Sequence, residues 1–225
     1  MDKLRVAIIW NFGKAKEILP NWRDGQRFAL EELSKYHRVD WYLAEECNSV
    51  PGDYDFLLFW TDPSDPIIDQ FSGYKARKGL MLTTNLGLPG NIPKYNVVYC
   101  ESEDVLKQVK LSAQRAIKAH GTDSDFYSPD PSVEKDIEYF YPATFSPWKK
   151  QSKIAHLGDK LLCVGTVQPD GTDELEACKK AGVRVEIGYF PAGKIRDYYR
   201  RAKRVVIPAV HGSERTVLEA MSCNI

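Results

Sequence analysis

Short apolar runs alternate with helix-forming stretches along the whole chain, and few folds accommodate that pattern. Arg5–Trp10 (RVAIIW) is an uninterrupted run of strand length. After a loop, Asp24-Gly25-Gln26 opens a stretch with apolar residues at Phe28, Leu30 and Leu33. It favours a helix to Tyr36, with Asp24 as N-cap. Residues 39–43 and 54–60 read as further strands, the latter apolar on both faces as buried parallel strands are. Two short runs, 80–83 and 96–100, flank the turn-rich segment 85–91, and Ser102 is placed to cap a helix over 103–110. Strands and helices alternating at this spacing predict right-handed crossovers and a doubly wound α/β sheet.

The alternation breaks between Ser128 and Pro147. There Pro129, Pro131, Pro142 and Pro147 surround the aromatic cluster Tyr139, Phe140, Tyr141 and Phe145. It then restarts: strand 160–164, helix 173–181 with Gly182 as C-cap, strand Arg184–Ile187, helix 194–202, strand 204–207 and a helix over 216–223. This organisation predicts an N-terminal domain over 1–130, a linker over 131–155 and a C-terminal domain over 156–225. A three-stranded second sheet whose last helix stops at Asn224-Ile225 has an open edge, so this domain is expected to be reduced or to lack a continuation.

A length of 225 residues suits one large domain or two modest ones. Lys plus Arg and Asp plus Glu are both 31, so the chain lacks the basic excess that a broad nucleic-acid surface needs. Apolar runs such as Phe56–Trp60 are far shorter than the roughly 20 residues of a membrane span. The N-terminus does not read as a secretion signal. Cys47, Cys100, Cys163, Cys178 and Cys223 are odd in number, widely spaced and without a C-x-x-C pair, which argues against a disulfide framework or zinc site and for a reducing cytoplasm.

Chemistry concentrates at residues 205–221, VVIPAVHGSERTVLEAM, which read as a buried strand, a polar loop and a helix start at Glu214 to Val217. Unpaired amides and the macrodipole make such a terminus attractive to anions, although a merely capped helix has the same pattern. The stretch resembles the signature of family 4 glycosyltransferases of the GT-B fold, with Leu218-Glu219-Ala220-Met221 matching directly. Ala119-His120-Gly121-Thr122-Asp123 to Phe126 and Pro129 resembles the segment by which the chain leaves the first domain of these enzymes. Leu161-Leu162-Cys163-Val164-Gly165 resembles the first strand and glycine of their nucleotide-binding domain.

The resemblance implies two Rossmann-like domains facing across a cleft, a nucleoside-diphosphate sugar as substrate, no separate cofactor and no metal. It makes Glu219 the carboxylate that holds the ribose, with Gly165, Thr166, Gly212, Ser213, Glu214 and Thr216 around the sugar nucleotide. The family has an acidic residue eight positions before that Glu; here it is His211, which bonds a hydroxyl without a permanent charge. The family also places an Arg after the first-strand glycine and a Lys before a second glycine to neutralise the diphosphate. The positions read as equivalent are Thr166 and Asp170, leaving Arg215, Lys194, Arg196, Lys14 and Arg23 as replacement cations. On the acceptor side, Gly13 and Lys14 follow the first strand, where open α/β sheets bind ligands, and Asp62 follows a middle strand as a contact, a base or simply a turn former. His37, His120 and His156 read as surface or local packing residues.

The expected function is thus transfer of a sugar to a hydroxyl acceptor of unspecified identity, with retention, by a glycosyltransferase in which His211, Arg215 and Asp62 act at the reacting centre. A non-catalytic GT-B-like protein that binds a nucleotide or a partner, with self-association included, is the alternative that His211, Thr166 and Asp170 favour.

Overall fold

Arg5–Trp10 forms β1, buried from Val6 onward because strands cover it on both edges. The structure, a computed structural model, describes residues 3–11, 25–82, 91–119, 121–209 and 215–225. Two compact units divide the chain between Gly121 and Thr122.

In the first unit β1 pairs in parallel with β2 (Arg38–Leu43) and β3 (Phe56–Trp60), with Val6 opposite Val39 and Phe56. With β4 (Arg77–Leu82), β5 (Val97–Cys100) and β6 (Ala116–Lys118), the sheet runs β2-β1-β3-β4-β5-β6. All its pairings are parallel, and the inner strands β1 and β3 are apolar on both faces as parallel pairing requires. Helix α1 (Gly25–Tyr36) follows β1, and α2 (Glu103–Val109) precedes β6 with Ser102 Oγ accepting from Val105 N–H at 3.2 Å, the expected cap. Among the described residues, the other connections contain the 3-10 turns Ala44–Ser49, Pro66–Phe71 and Ile92–Lys94. Sequence reading misses these turns and also β6, which is three residues long with one large apolar side chain. Phe59 holds the core together edge-on to Phe71 and Tyr95, at 5.3 and 5.6 Å between ring centroids.

The second unit corrects the expected linker. Within 131–155, Tyr139–Pro142 forms β7, which pairs in parallel with β8 (Leu161–Gly165). Its other edge bonds the 204–206 segment: Phe140 N–H donates to Arg204 O at 2.9 Å, and Val206 N–H to Phe140 O at 3.1 Å. Prolines hide this strand from a sequence reader. Ala143 N–H bonds Val164 O, so by alternation the Pro142 nitrogen faces away from β8 and its missing hydrogen costs no bond in that ladder. The sheet order is β7-β8-β9, with β9 at Arg184–Ile187. The segment expected as strand 204–207 is reduced to a bridge between Val205 and Phe140.

Helices α3 (Thr172–Lys180), α4 (Ala192–Arg201) and α5 (Arg215–Ser222) lie close to their expected ranges, and Gly182 ends α3 with φ +77°. Alternate residues of β7 serve opposite faces. Tyr141 packs with Leu161, Cys163, Leu175 and Cys178, whereas the Phe140 ring meets Tyr198 and Tyr199 of α4. No described helix is long and apolar enough to cross a membrane.

Backbone contact after β7 is close. A Cβ on Gly165 would lie 2.4 Å from Ala143 O, and one on Gly171 only 2.0 Å from Phe145 O. Gly171→Ala should therefore destabilise the protein by about 1–3 kcal/mol in urea unfolding. Gly52→Ala, where a Cβ meets nothing within 4 Å, should stay within about 0.5 kcal/mol.

Ion pairs fasten α4 and the segment after it: Arg201 to Asp136 at 2.6 Å, Lys203 to Glu138 at 2.9 Å, and Arg204 to Glu138. Hydrogen bonds from Arg201 to Asp136, from Lys203 to Glu138 and from Tyr198 to Glu186 hold those carboxyls below their usual range. Their folded pKa values lie below the unfolded ones, so the stability they contribute is present above about pH 4 and lost as pH falls through the folded values. Asp136→Asn, Glu138→Gln and Glu186→Gln together should flatten the acid side of the stability profile measured by urea unfolding between roughly pH 5 and pH 2.

Candidate functional site

Helix α5 carries the residues on which the sequence reading depends. Arg215 opens it and Thr216 follows, both half-buried, and Glu219 lies one turn further along. Glu219 is not a solvated helical acid: it is 8% exposed. Its Oε2 accepts a 2.9 Å hydrogen bond from the Tyr199 hydroxyl of α4. Burial, then the neighbouring Glu219 charge, pushes the Tyr199 hydroxyl well above its ordinary pKa, so it remains a hydrogen-bond donor at any physiological pH. The Tyr199 ring is fixed edge-on against Tyr127 and Phe140, at 6.0 and 5.4 Å. Tyr127 belongs to the segment expected at the exit of the first domain. There Asp123 Oδ1 accepts from the Asp125 and Phe126 amides, and Arg200 donates to Ser128 O at 2.8 Å and Ser128 Oγ at 3.1 Å. Tyr127 and Tyr199 escape a sequence reader because nothing in a helix pattern distinguishes a tyrosine that packs from one that also orients an acid.

A second group lies at the ends of β7 and β8. Phe145 N–H donates to Thr166 O at 2.7 Å, Gln168 N–H to Phe145 O at 3.1 Å, and the Thr144 and Thr166 hydroxyls are 3.0 Å apart. Gly165 thus has a packing reason to be glycine, and Thr166 has a protein partner. Because β7 precedes β8, the opening strand of this unit is β7, a correction to the reading of 161–165. The positions that follow the first strand are then 143–150, which include Lys149 and Lys150. Lys150 adopts the left-handed conformation (φ 54°, ψ 39°), and the Lys149 carbonyl accepts from the Tyr141 hydroxyl at 3.1 Å. Thr166 and Asp170 accordingly follow the second strand of this unit, not its first. The β-forming aromatic run Tyr139–Tyr141 was the available signal.

The other proposed cations of this unit are engaged locally. Lys194 is 3.3 Å from Glu186 and lies over the Phe190 ring, and Arg196 is 3.1 Å from Asp197 and lies over the Phe126 ring. His211, Gly212, Ser213 and Glu214 lie outside the described residues, as do Gly13, Lys14, Arg23, Asp24 and His120.

In the first unit the order β2-β1-β3 puts a topological switch between β1 and β3, the position at which open α/β sheets bind ligands. At the ends of these strands Asp65 collects hydrogen bonds from Asn11 Nδ2, Thr61 Oγ1 at 2.7 Å and Ile67 N at 2.9 Å, while Asn91 Nδ2 bonds Asp65 O at 3.1 Å. Asp62 is a turn former: its Oδ1 accepts from the amide and hydroxyl of Ser64. His37 Nδ1 accepts from Leu4 N–H at 3.3 Å, and His156 Nδ1 lies 3.1 Å from Lys153 O, both local contacts. Among the described residues no cluster of three or more His, Cys, Asp or Glu side chains is arranged to hold a metal ion. All five cysteines are free and buried, and burial pushes the Cys47, Cys100 and Cys223 thiols up to about 11, which disfavours a thiolate nucleophile.

No protein-family model matches the chain, and no curated protein matches it by sequence. Solved structures do match. AviGT4, a glycosyltransferase involved in avilamycin A biosynthesis, superposes with a TM-score of 0.63 at 14% identity, over 97% of this chain and 76% of that one. A UDP-forming α,α-trehalose-phosphate synthase from Burkholderia xenovorans gives 0.61 at 8%, over 99% and 82%. TarM gives 0.57 at 14% over 75% of this chain, which spans 39% of TarM's length. What is shared at such identities is the fold: the chain has the GT-B architecture of two Rossmann-like α/β units, with the smaller sheet in the second.

Replacing Glu219 by Ala should strip the Tyr199 hydroxyl of its acceptor and open a small void. Urea unfolding should register a loss of about 1–3 kcal/mol, whereas Glu219→Gln, which keeps an acceptor oxygen, should lose less.

Proposed function

We propose that this protein transfers a sugar from a nucleoside-diphosphate donor to a hydroxyl acceptor, with retention at the anomeric carbon. The observation that carries the reading is Glu219: an acidic side chain buried in α5 and held by Tyr199, at the position where the GT-B resemblance calls for the carboxylate that accepts hydrogen bonds from ribose. The shared fold with AviGT4 and a UDP-forming synthase supports a nucleotide sugar as the substrate class.

In this scheme the amides that open α5, together with Arg215 and Lys149, take up the charge that develops on the diphosphate as its bond to the anomeric carbon breaks. The acceptor oxygen forms the new bond on the same face, and its proton passes to the departing phosphate oxygen. Gly165 and Thr166 shape the floor beside the Lys149 loop. By the family resemblance Gly212, Ser213 and Glu214 bind the donor, His211 bonds a hydroxyl of the transferred sugar, and Gly13 and Lys14 serve the acceptor side. Asp62 has no proton-transfer step in this scheme, because its carboxylate closes its own turn. Five free, buried thiols suit a reducing compartment, so a cytoplasmic setting goes with this reading.

The protein should gain several degrees of melting temperature with the correct member of a panel of UDP-, GDP- and ADP-sugars, and should release the nucleoside diphosphate when a hydroxyl acceptor is added. Glu219→Gln should weaken nucleotide binding by about tenfold. A melting shift without release in any donor–acceptor combination makes it a nucleotide-binding protein on the same scaffold, and the absence of both refutes the proposal.

A further inference from the structure

The Tyr199–Glu219 pair contains more polarity than packing requires. A phenylalanine would fill the space between Tyr127 and Phe140 equally well, and buried ionisable groups stabilise a core less than apolar groups of the same shape. The hydroxyl nevertheless reaches a carboxylate at 2.9 Å, in a residue pair 0% and 8% exposed. Its geometry is over-determined. Two edge-on rings stop the Tyr199 ring from swinging, and the phenol hydrogen is directed at Glu219 Oε2. Glu219 lies on α5 and Tyr199 on α4, so one α4 side chain fixes the acid of the neighbouring helix.

We infer that Tyr199 is a positioning residue for nucleotide recognition: by fixing one oxygen of Glu219 it presents the carboxylate in the orientation that discriminates a ribose diol from a deoxygenated sugar. This rests on the proposed role of Glu219 and adds to it the group that makes the acid selective. A glutamate free to choose among rotamers would lose its side-chain entropy on every binding event, whereas one already held by Tyr199 does not.

The test measures dissociation constants by calorimetry for UDP, GDP and ADP, and for the 2′,3′-dideoxy form of whichever binds tightest. The proteins are wild type, Tyr199→Phe, Glu219→Gln and the double variant. Wild type should prefer the ribonucleotide by about tenfold or more, and Tyr199→Phe should reduce that preference to about threefold or less while changing dideoxynucleotide affinity by less than about twofold. In the Glu219→Gln background, Tyr199→Phe should have no further effect on the preference. The inference is overturned if Tyr199→Phe keeps the full preference, if it weakens both ligands equally, or if it does not fold, since the hydroxyl would then serve stability alone. If wild type binds the nucleotides without regard to the ribose hydroxyls, Glu219 is not their ligand and the inference falls while nucleotide binding stands. If wild type binds none of the three, the functional reading fails and takes the inference with it.

Discussion

A strand inside a parallel sheet needs hydrogen-bond partners on both edges and apolar cover on both faces, and in the second unit that requirement falls on β7. One edge bonds β8 and the other the 204–206 segment; Tyr141 faces the α3 layer and Phe140 the α4 layer. The functional placements follow from this strand. Its continuation lies so close to Gly165 and Gly171 that a methyl group at either position would collide with backbone carbonyls. It also carries the chain into the Lys149–Lys150 turn, and Phe140 forms one wall of the Tyr199 site. The stability of the unit and the placement of the candidate site thus depend on a single element.

The two units treat polar side chains differently. In the first, Asp65 gathers its hydrogen-bond donors at the ends of β1 and β3, so the polar groups at the topological switch satisfy one another and give those ends a defined shape. In the second, a carboxylate is taken almost wholly out of water and retained through a phenol. Burying an acid carries a desolvation cost that only good hydrogen bonding offsets. Arg200, Arg201 and Lys203, by contrast, are matched to nearby carbonyl or carboxylate oxygens at the surface, where such pairs contribute little individually but fix the path of α4 and the segment after it.

Glu219 illustrates how a motif and a structure inform each other. The sequence Leu218-Glu219-Ala220-Met221 marks a place on a helix; whether the acid is solvated, paired or buried depends on α4, distant in sequence and without a motif of its own. The Gly165 to Gly171 segment makes the opposite point. Its glycines match the two glycines that the family resemblance places after a strand, yet their demand for space comes from residues 143–146.

Much of the architecture was legible without coordinates, because periodicity is a local property. β1, β3, β8 and β9, the Ser102 cap, the Gly182 helix end and the extents of α3 to α5 all follow from short windows of residues. The alternation of apolar runs with helix formers, together with the 218–221 motif, determined the α/β class and the kind of fold to expect. Tertiary structure decided what depends on a neighbour far along the chain. It turned a proline- and aromatic-rich stretch into the opening strand of the second sheet, since a proline does no harm where its nitrogen faces away from the β8 ladder. It also buried Glu219 against Tyr199, since α4 packs on α5, and the chemical environment of a charged group is set by whatever packs around it rather than by its neighbours in sequence.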